Sequence, residues 1–278
     1  MIKTTELLRT IREKLTPSLG NLSLPDAETI IMQSLNITRN RLYTDTSIDI
    51  NDDDLTRINL IVTRRLRGEP LQYIFGKAFF YDREFAVTPD VLIPRPDTET
   101  LVETVINTEK DDPARFIDIG TGSGILAAVL TAHRPAWASV AVDISFPALQ
   151  TASRNLPANI ALICCDMLSA IRPARRFDFI VSNPPYISSP QMEALDRSVS
   201  SYEPRAALCG GVDGLDFYRV ISGVAGMYLK DGGRVYLEIG YDQGASVPEI
   251  FRGGGWAEVA VTRDLGGRDR VVRAVCKT

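Results

Sequence analysis

Near the middle of the chain, residues 116–126 read Phe116-Ile117-Asp118-Ile119-Gly120-Thr121-Gly122-Ser123-Gly124-Ile125-Leu126. An apolar run of strand character passes through a glycine-rich turn into the apolar opening of a helix. Glycine suits such a turn because a ligand approaches bare backbone and the chain adopts conformations that a Cβ forbids. The spacing is G-x-G-x-G, and Ile125 stands where the dinucleotide fingerprint G-x-G-x-x-G has its third glycine. The stretch therefore predicts a nucleotide-binding turn for a ligand without phosphates.

Strand-like apolar runs alternate with helical segments from this turn to the end of the chain. The predicted strands are Phe116–Ile119, Val140–Val142, Ile160–Cys164, Phe177–Val181, Val235–Ile239, Val259–Val261 and Val271–Val275. Such alternation is typical of a mostly parallel sheet wrapped by helices, because each parallel crossover needs a helix-length connection. We therefore predict an α/β fold for this part of the chain.

The first 75 residues show no strand alternation and predict a small helical domain. The clearest helix there carries carboxylates at residues 52–54 and arginines at residues 64, 65 and 67, which complements the helix dipole at both ends. Residues 76–94 predict a β-hairpin linker with its turn at Asp82-Arg83. The chain would then divide into a helical domain at 1–75, a linker at 76–94 and an α/β domain at 95–278.

Acidic residues follow two of the predicted strands. Asp143 ends the second strand about 20 residues past the glycine turn, where a carboxylate can accept hydrogen bonds from both ribose hydroxyls and would repel a phosphate. Asp166 and Met167 follow the third strand, where they would meet the amino group and the ring of an adenine. The predicted cofactor-binding residues are Gly120, Thr121, Gly122, Ser123, Gly124, Asp143, Asp166, Met167 and Asn183.

The fourth strand ends in the most specific motif of the chain, Asn183-Pro184-Pro185-Tyr186. Each proline ring fixes its own φ and pushes the preceding residue into an extended conformation, so the loop is stiff. It can therefore aim the side-chain oxygen of Asn183 and the carbonyl of Pro184 into one small space, while Tyr186 supplies a flat wall. Two acceptors suit an NH2 group. We predict substrate binding by all four residues and catalytic roles for Asn183, Pro184 and Tyr186.

The delocalised lone pair makes a planar NH2 group a poor nucleophile. Binding both of its hydrogens leaves the lone pair pointing at a methyl sulfonium and stabilises the charge that develops on nitrogen. No general base is required, since the methylated amide loses its proton to water. Together with the phosphate-free nucleotide site, this chemistry predicts a methyltransferase that uses S-adenosyl-L-methionine and releases S-adenosyl-L-homocysteine.

Composition narrows the class of protein. The 278 residues carry a net charge of −4, which argues against a protein that binds duplex nucleic acid through nonspecific phosphate contacts. We expect no membrane span, since no apolar run reaches the roughly 18 residues that one requires. The four cysteines form no C-x-x-C pair, and with a single histidine we expect no metal site and a reduced, cytoplasmic protein.

Further sequence motifs lie in other parts of the chain, so that the motifs together span nearly its whole length. They are Gly68-Glu69-Pro70-Leu71-Gln72-Tyr73, Leu92-Ile93-Pro94-Arg95-Pro96-Asp97-Thr98-Glu99, Tyr202-Glu203-Pro204-Arg205-Ala206-Ala207-Leu208, Asp213-Gly214-Leu215 and Gly266-Gly267-Arg268-Asp269-Arg270. With the glycine turn and Asn183-Pro184-Pro185-Tyr186, they resemble the HemK/PrmC family, which methylates a glutamine side chain in peptide-chain release factors.

The resemblance implies a seven-stranded Rossmann-like class I methyltransferase domain behind a helical domain and a β-hairpin. It implies that the helical domain grips a class 1 release factor, whose Gly-Gly-Gln glutamine enters between Asn183 and Tyr186 and is methylated on N5, tuning translation termination. A monomer without direct nucleic-acid contacts is expected. Met167 departs from the pattern, because many relatives carry an aromatic residue there, and cofactor affinity is the property this puts in question.

Two other substrates share this chemistry. A related family methylates a glutamine of a ribosomal protein, but Arg95-Pro96-Asp97-Thr98-Glu99 resembles the release-factor group better. DNA adenine N6-methyltransferases use the same Asn-Pro-Pro-Tyr motif, and the acidic charge and lack of a basic target-recognition domain argue against that class. A cofactor-binding scaffold without catalysis is the alternative outside enzymes. The roles of Arg95 and Glu99 are open between the cleft and an interdomain hinge.

Overall fold

A computed structural model of the chain describes residues 3–44 and 48–277. Contacts between Cα atoms divide the chain into two units, Met1–Gly76 and Lys77–Thr278. The predicted hairpin thus falls within the second unit. No helix in the described ranges combines the length and the apolar character that a membrane crossing demands.

The first unit is helical. Its helices are α1 Thr4–Leu19, α2 Ser23–Leu35, α3 Arg39–Thr44, α4 Asp52–Leu66 and α5 Leu71–Phe75. Leu15, Ile30 and Leu42, from three of these helices, are fully buried in one apolar core. The start of α4 is capped by Asn51, whose side chain accepts from the backbone N–H of Asp54 at 2.8 Å. The unit therefore has a hydrophobic core of its own.

A β-hairpin opens the second unit. Strand β1, Lys77–Phe80, pairs antiparallel with β2, Arg83–Ala86. The turn predicted at Asp82-Arg83 is wrong by one residue: the connecting residues are Tyr81 and Asp82, with φ of 48° and 57°. A two-residue turn that follows the strand twist needs positive φ at both positions, and an aspartate tolerates it better than most residues.

The remainder of the second unit is a seven-stranded sheet covered by helices. Its strands are β3 Arg115–Ile119, β4 Ala138–Asp143, β5 Ala161–Cys164, β6 Phe177–Ser182, β7 Leu229–Glu238, β8 Ala257–Arg263 and β9 Asp269–Val275. Its helices are α6 Glu99–Thr108, α7 Ile125–His133, α8 Phe146–Asn155, α9 Ser189–Met192, α10 Arg197–Ser200, α11 Asp216–Val224 and α12 Ser246–Gly253. The predicted fold class is confirmed.

The sheet order is β5-β4-β3-β6-β7-β9-β8. Strands β3 to β7 run parallel, while β9 is antiparallel to both of its neighbours. Along β6, Phe179 and Val181 belong to one apolar core and Ile180 to another, so the sheet is buried on both faces. Four parallel strand ends, those of β3 to β6, consequently meet at one edge, where ligands bind in open α/β sheets.

Candidate active site

A cavity of about 380 Å³ lies at this edge of the sheet. Ten of the residues predicted as site residues line it: Gly120, Thr121, Gly122, Ser123, Asp143, Asp166, Met167, Asn183, Pro184 and Pro185. The other two, Gly124 and Tyr186, lie outside the lining. Its size falls within the range of small-molecule sites.

The glycine turn presents bare backbone to the cavity. Gly120 and Gly122 have φ of 66° and 54°, and a Cβ built on either one meets no atom within 4 Å. A side chain there would strain the backbone and fill the space that a ligand needs. Gly124 differs, because its Cβ would lie 3.0 Å from Leu156, and this glycine packs α7 closely against α8.

Asp143 is held in place by two backbone amides. Its Oδ2 accepts from the N–H of Gly122 at 2.8 Å, and its Oδ1 accepts from the N–H of Ser145 at 2.9 Å. Burial raises its pKa, and the two amides oppose that rise. Each carboxylate oxygen has a further lone pair, so Asp143 can also accept from a diol in the cavity.

Asp118, which the sequence analysis quoted but did not assign, supports the glycine turn from beneath. It is fully buried, and its Oδ2 accepts from the Thr121 hydroxyl at 2.6 Å and from the Ala127 N–H at 3.3 Å. Its Oδ1 is buried without a hydrogen-bond partner among the described residues. Burial raises the pKa of Asp118 to about 7. The sequence signal for this supporting role is a carboxylate inside the apolar strand that leads into the glycine turn.

The ends of β4 and β5 form the wall beyond Asp143. The backbone N–H of Cys165 donates to the carbonyl of Asp143 at 2.9 Å, which brings Asp166 and Met167 to the cavity. Met167 has φ of 50°, an uncommon conformation for a residue with a side chain, and it packs against the larger apolar core. Asp166 is exposed. This end of the cavity thus combines one apolar wall residue with one exposed carboxylate.

Asn183 follows β6 and so lies on the other side of β3 from Asp143 and Asp166. Its Nδ2 donates to the hydroxyl oxygen of Thr98 at 3.2 Å. The preceding residue, Ser182, donates from its hydroxyl to the carbonyl of Ile119 at 2.7 Å, which ties the end of β6 to the end of β3. The stiff loop predicted from its prolines is therefore fastened to the strand that carries the glycine turn.

Tyr186 ends this loop and is not part of the cavity lining. Its carbonyl accepts from Nε2 of Gln243 at 3.0 Å, and the same amide group donates to the carbonyl of Gly214 at 3.2 Å. Burial and the nearby Glu238 raise the pKa of the Tyr186 phenol. Gln243, absent from the sequence analysis, anchors the end of the motif; no spacing rule identifies such a residue.

The segment before α6 is clamped on both sides. Arg95 forms an ion pair with the buried Glu203, and Asp97 pairs with the buried Arg270 at 2.9 Å. Arg95 also lines the cavity. Glu99 instead accepts from the backbone N–H of Tyr81 at 3.1 Å and so holds the hairpin. The sequence left the roles of Arg95 and Glu99 open. In the structure Arg95 lines the cavity, and Glu99 holds the hairpin.

Two family models match the chain, the "Methyltransferase small domain" over residues 96–198 and the "PrmC N-terminal domain" over residues 6–76. The chain is 42% identical to the release factor glutamine methyltransferase of Koribacter versatilis, over 88% of this chain and 89% of the relative. It is 39% identical to that of Bacillus subtilis, over 90% of each chain. The chain belongs to the release factor glutamine methyltransferase family.

This membership confirms the resemblance inferred from the motifs, and it makes the chain a methyltransferase with a methyl donor of the S-adenosylmethionine type. Among solved structures, a methyltransferase from Pyrococcus furiosus covers 82% of this chain and 100% of its own length, with a TM-score of 0.53 and 17% identity. At that identity the likeness concerns the fold alone.

Proposed function

We propose that this enzyme transfers a methyl group from S-adenosyl-L-methionine to the side-chain amide nitrogen, N5, of the Gly-Gly-Gln glutamine in class 1 peptide-chain release factors. Such a modification would tune translation termination. The observation that carries the proposal is one cavity with the glycine turn and Asp143 at one end and Asn183 and Pro184 at the other. The names of the close relatives support the choice of substrate.

The cofactor end fits a nucleoside without phosphates. Asp143, fixed by two amides, is placed to accept from ribose hydroxyls, and Gly120 and Gly122 leave room for the methionine part against the backbone. Met167 would lie against the adenine and Asp166 near its amino group. Because the carboxylate of Asp143 adds negative charge beside the turn, the site suits a cationic sulfonium better than a phosphate.

The acceptor end fits a primary amide. Asn183 Oδ1 and the Pro184 carbonyl would each accept one hydrogen of the glutamine NH2, and Pro185 and Tyr186 would confine its plane. The N–CH3 bond forms as the S–CH3 bond breaks, with the bonding pair passing to sulfur to give S-adenosyl-L-homocysteine. The methylated amide then loses its extra proton to water, so no protein base is needed.

The helical unit is proposed to hold the release factor. It matches the N-terminal domain model of this family and has its own core. We propose residues 1–75 as the substrate-gripping domain, 76–94 as the hairpin linker and 95–278 as the catalytic domain. The enzyme would act as a monomer in the cytoplasm, where release factors work, without direct nucleic-acid contacts.

A transfer assay with radiolabelled S-adenosyl-L-methionine tests this function. Native release factor, its Gly-Gly-Gln→Gly-Gly-Ala variant, ribosomal protein and duplex DNA are offered in parallel. Label on the native factor alone is expected. Label on the ribosomal protein or the DNA would overturn the substrate and leave the cofactor site standing, and no label on any of them would favour a binding protein without catalysis.

A further inference from the structure

A buried carboxylate lies behind the acceptor end of the cavity, and the proposed chemistry does not use it. Glu238 is the last residue of β7, and only 1% of it is exposed. Strands β6 and β7 run parallel with Ser182 opposite Leu237, so Asn183 and Glu238 leave neighbouring strands at the same level. Neither carboxylate oxygen of Glu238 has a hydrogen-bond partner among the described residues.

Thr98 lies between these two side chains. Its hydroxyl oxygen accepts from Nδ2 of Asn183 at 3.2 Å, and the same hydroxyl lies close enough to Glu238 to lower the pKa of that carboxyl. A hydroxyl that accepts from one neighbour keeps a single proton to donate to another. An ionised carboxylate can only accept. The proton of Thr98 is therefore available to Glu238, and a lone pair of Thr98 accepts from Asn183.

This polarity determines which end of the Asn183 amide faces the cavity. A lone pair on Thr98 attracts the NH2 end of the amide and repels its oxygen, so Oδ1 is left for the cavity. We propose that Glu238, acting through Thr98, is a positioning residue that sets the Asn183 side chain with its oxygen toward the substrate NH2. The inference rests on the proposed function, because only a substrate with hydrogens to donate needs an acceptor there.

The position of Thr98 is itself tightly constrained. It ends a short 3₁₀ helix, Pro96–Thr98. Arg95, just before this helix, and Asp97, within it, are paired with the buried Glu203 and Arg270. Arg270 also pairs with Asp264 at 3.2 Å. A hydroxyl on backbone that is anchored in this way can orient a third group without moving with it, as a side-chain network requires.

Glu238 is surrounded by other titratable and charged groups. They are Arg95, Asp97, Tyr186, Tyr218 and Arg270. Burial raises the pKa of Glu238 to about 7, although Thr98 and the two arginines oppose that rise. Below this pH the carboxyl gains a proton that it can donate to Thr98, and the polarity of the chain of hydrogen bonds can reverse. Turnover should therefore rise with pH through this range.

The test uses the full-length enzyme and purified release factor, with kcat and KM measured at saturating cofactor. Thr98→Val removes the hydroxyl at nearly constant volume, and kcat should fall about 10- to 100-fold, less than the roughly 10²–10³-fold loss of a direct transition-state contact. Thr98→Ser keeps the hydroxyl and should restore kcat to within about threefold of wild type. Thr104→Val, another buried threonine before the glycine turn, is the matched control and should not change kcat.

The pH dependence of kcat is a second measurement, and a purely structural role of Glu238 would not affect it. In the wild type, kcat should rise with pH around 7, and Glu238→Gln should abolish this limb. Asp118, with a pKa also about 7, is present in both enzymes, so the difference between the two profiles reports Glu238. The Glu238→Gln profile remains informative even if Thr98→Val fails to fold.

The outcomes separate this inference from the proposed function. Full activity of Thr98→Val, or an unchanged pH limb in Glu238→Gln, would overturn the positioning role while the methyl transfer stands. Full activity of Asn183→Ala would instead overturn the acceptor chemistry itself. A fall in kcat with Thr98→Val, rescued by Thr98→Ser, together with loss of the limb, is the result that supports the inference.

Discussion

The two ends of the cavity differ in whether backbone or side-chain groups line them. At the cofactor end the contacts come mainly from backbone, since the glycine turn offers bare amides and Asp143 is itself fixed by the N–H groups of Gly122 and Ser145. At the proposed acceptor end the Pro184 carbonyl is joined by one side chain, Asn183, whose amide donates to Thr98. The conformation of the glycine turn restricts which residues can replace its glycines. The orientation of a side-chain amide, in contrast, depends on the groups that hydrogen-bond to it. The first end should therefore govern affinity, and the second should govern turnover.

The largest effect is expected at Asn183. Asn183→Ala removes the acceptor for the substrate NH2, and kcat should fall by at least roughly 10²–10³-fold, the usual loss for one electrostatic contact to a transition state. The dissociation constant for S-adenosyl-L-methionine, measured by calorimetry, should change much less. A comparable loss of cofactor affinity would mean that the two ends are not separable.

Asp143→Ala should show the opposite pattern. One hydrogen bond to a charged acceptor contributes roughly 1.5–3 kcal/mol, so the cofactor dissociation constant should rise about 10- to 100-fold. At saturating cofactor, kcat should remain near the wild-type value. Asp166→Ala is the matched comparison, because Asp166 also follows a strand and lines the cavity but is exposed. Equal effects at the two positions would contradict the special role of Asp143.

Gly122→Ala tests whether backbone conformation matters at the cofactor end. A side chain at φ of 54° costs about 1–2 kcal/mol, and the added Cβ would project into open space beside the ligand. Cofactor binding should weaken about tenfold. Gly232→Ala is the control, since Gly232 has φ of 73° with equally open space but lies far along β7 from the cavity edge. It should lose similar thermal stability and keep its cofactor affinity.

The smallest effect concerns the pH dependence of stability. The folded protein holds a proton on Glu238 up to pH about 7, whereas the unfolded chain releases it near 4.5. Between these values the folded state binds more protons, so the free energy of unfolding falls as pH rises. Glu238→Gln should weaken this fall. At pH 8 its Tm should exceed that of the wild type by a few degrees, about 2–4 °C per kcal/mol.

Calorimetric scans at pH 4 and pH 8 provide this measurement. At pH 4 the wild type and Glu238→Gln should melt at nearly the same temperature, because both side chains are then neutral. A wild type that is the more stable of the two at pH 8 would show that the ionised carboxylate has partners strong enough to offset its burial, and the expected sign would be wrong.

Much of the fold could be predicted because its signals are local. Each predicted strand is an apolar run bounded by turn residues, and the glycines and prolines restrict their own backbone wherever they occur. The hairpin turn shows the limit. Its register depends on the pairing of β1 with β2, and the sequence favoured Asp82-Arg83 where the strands select Tyr81-Asp82. Shifting the turn by one residue changes the strand and turn propensities little, but it moves every side chain of the shifted strand to the opposite face of the hairpin.

The sequence alone determined the sheet, the glycine turn, Asp143 and the stiff loop at Asn183, because each of these follows from a conformational restriction or a strand end. Only the tertiary structure decided that Thr98 and Glu238 stand behind Asn183 and that Gln243 holds Tyr186. Along the chain, 57 residues separate Gln243 from Tyr186 and 85 separate Asn183 from Thr98. Hydrogen-bond direction depends on groups that meet only after folding, and no local pattern encodes it.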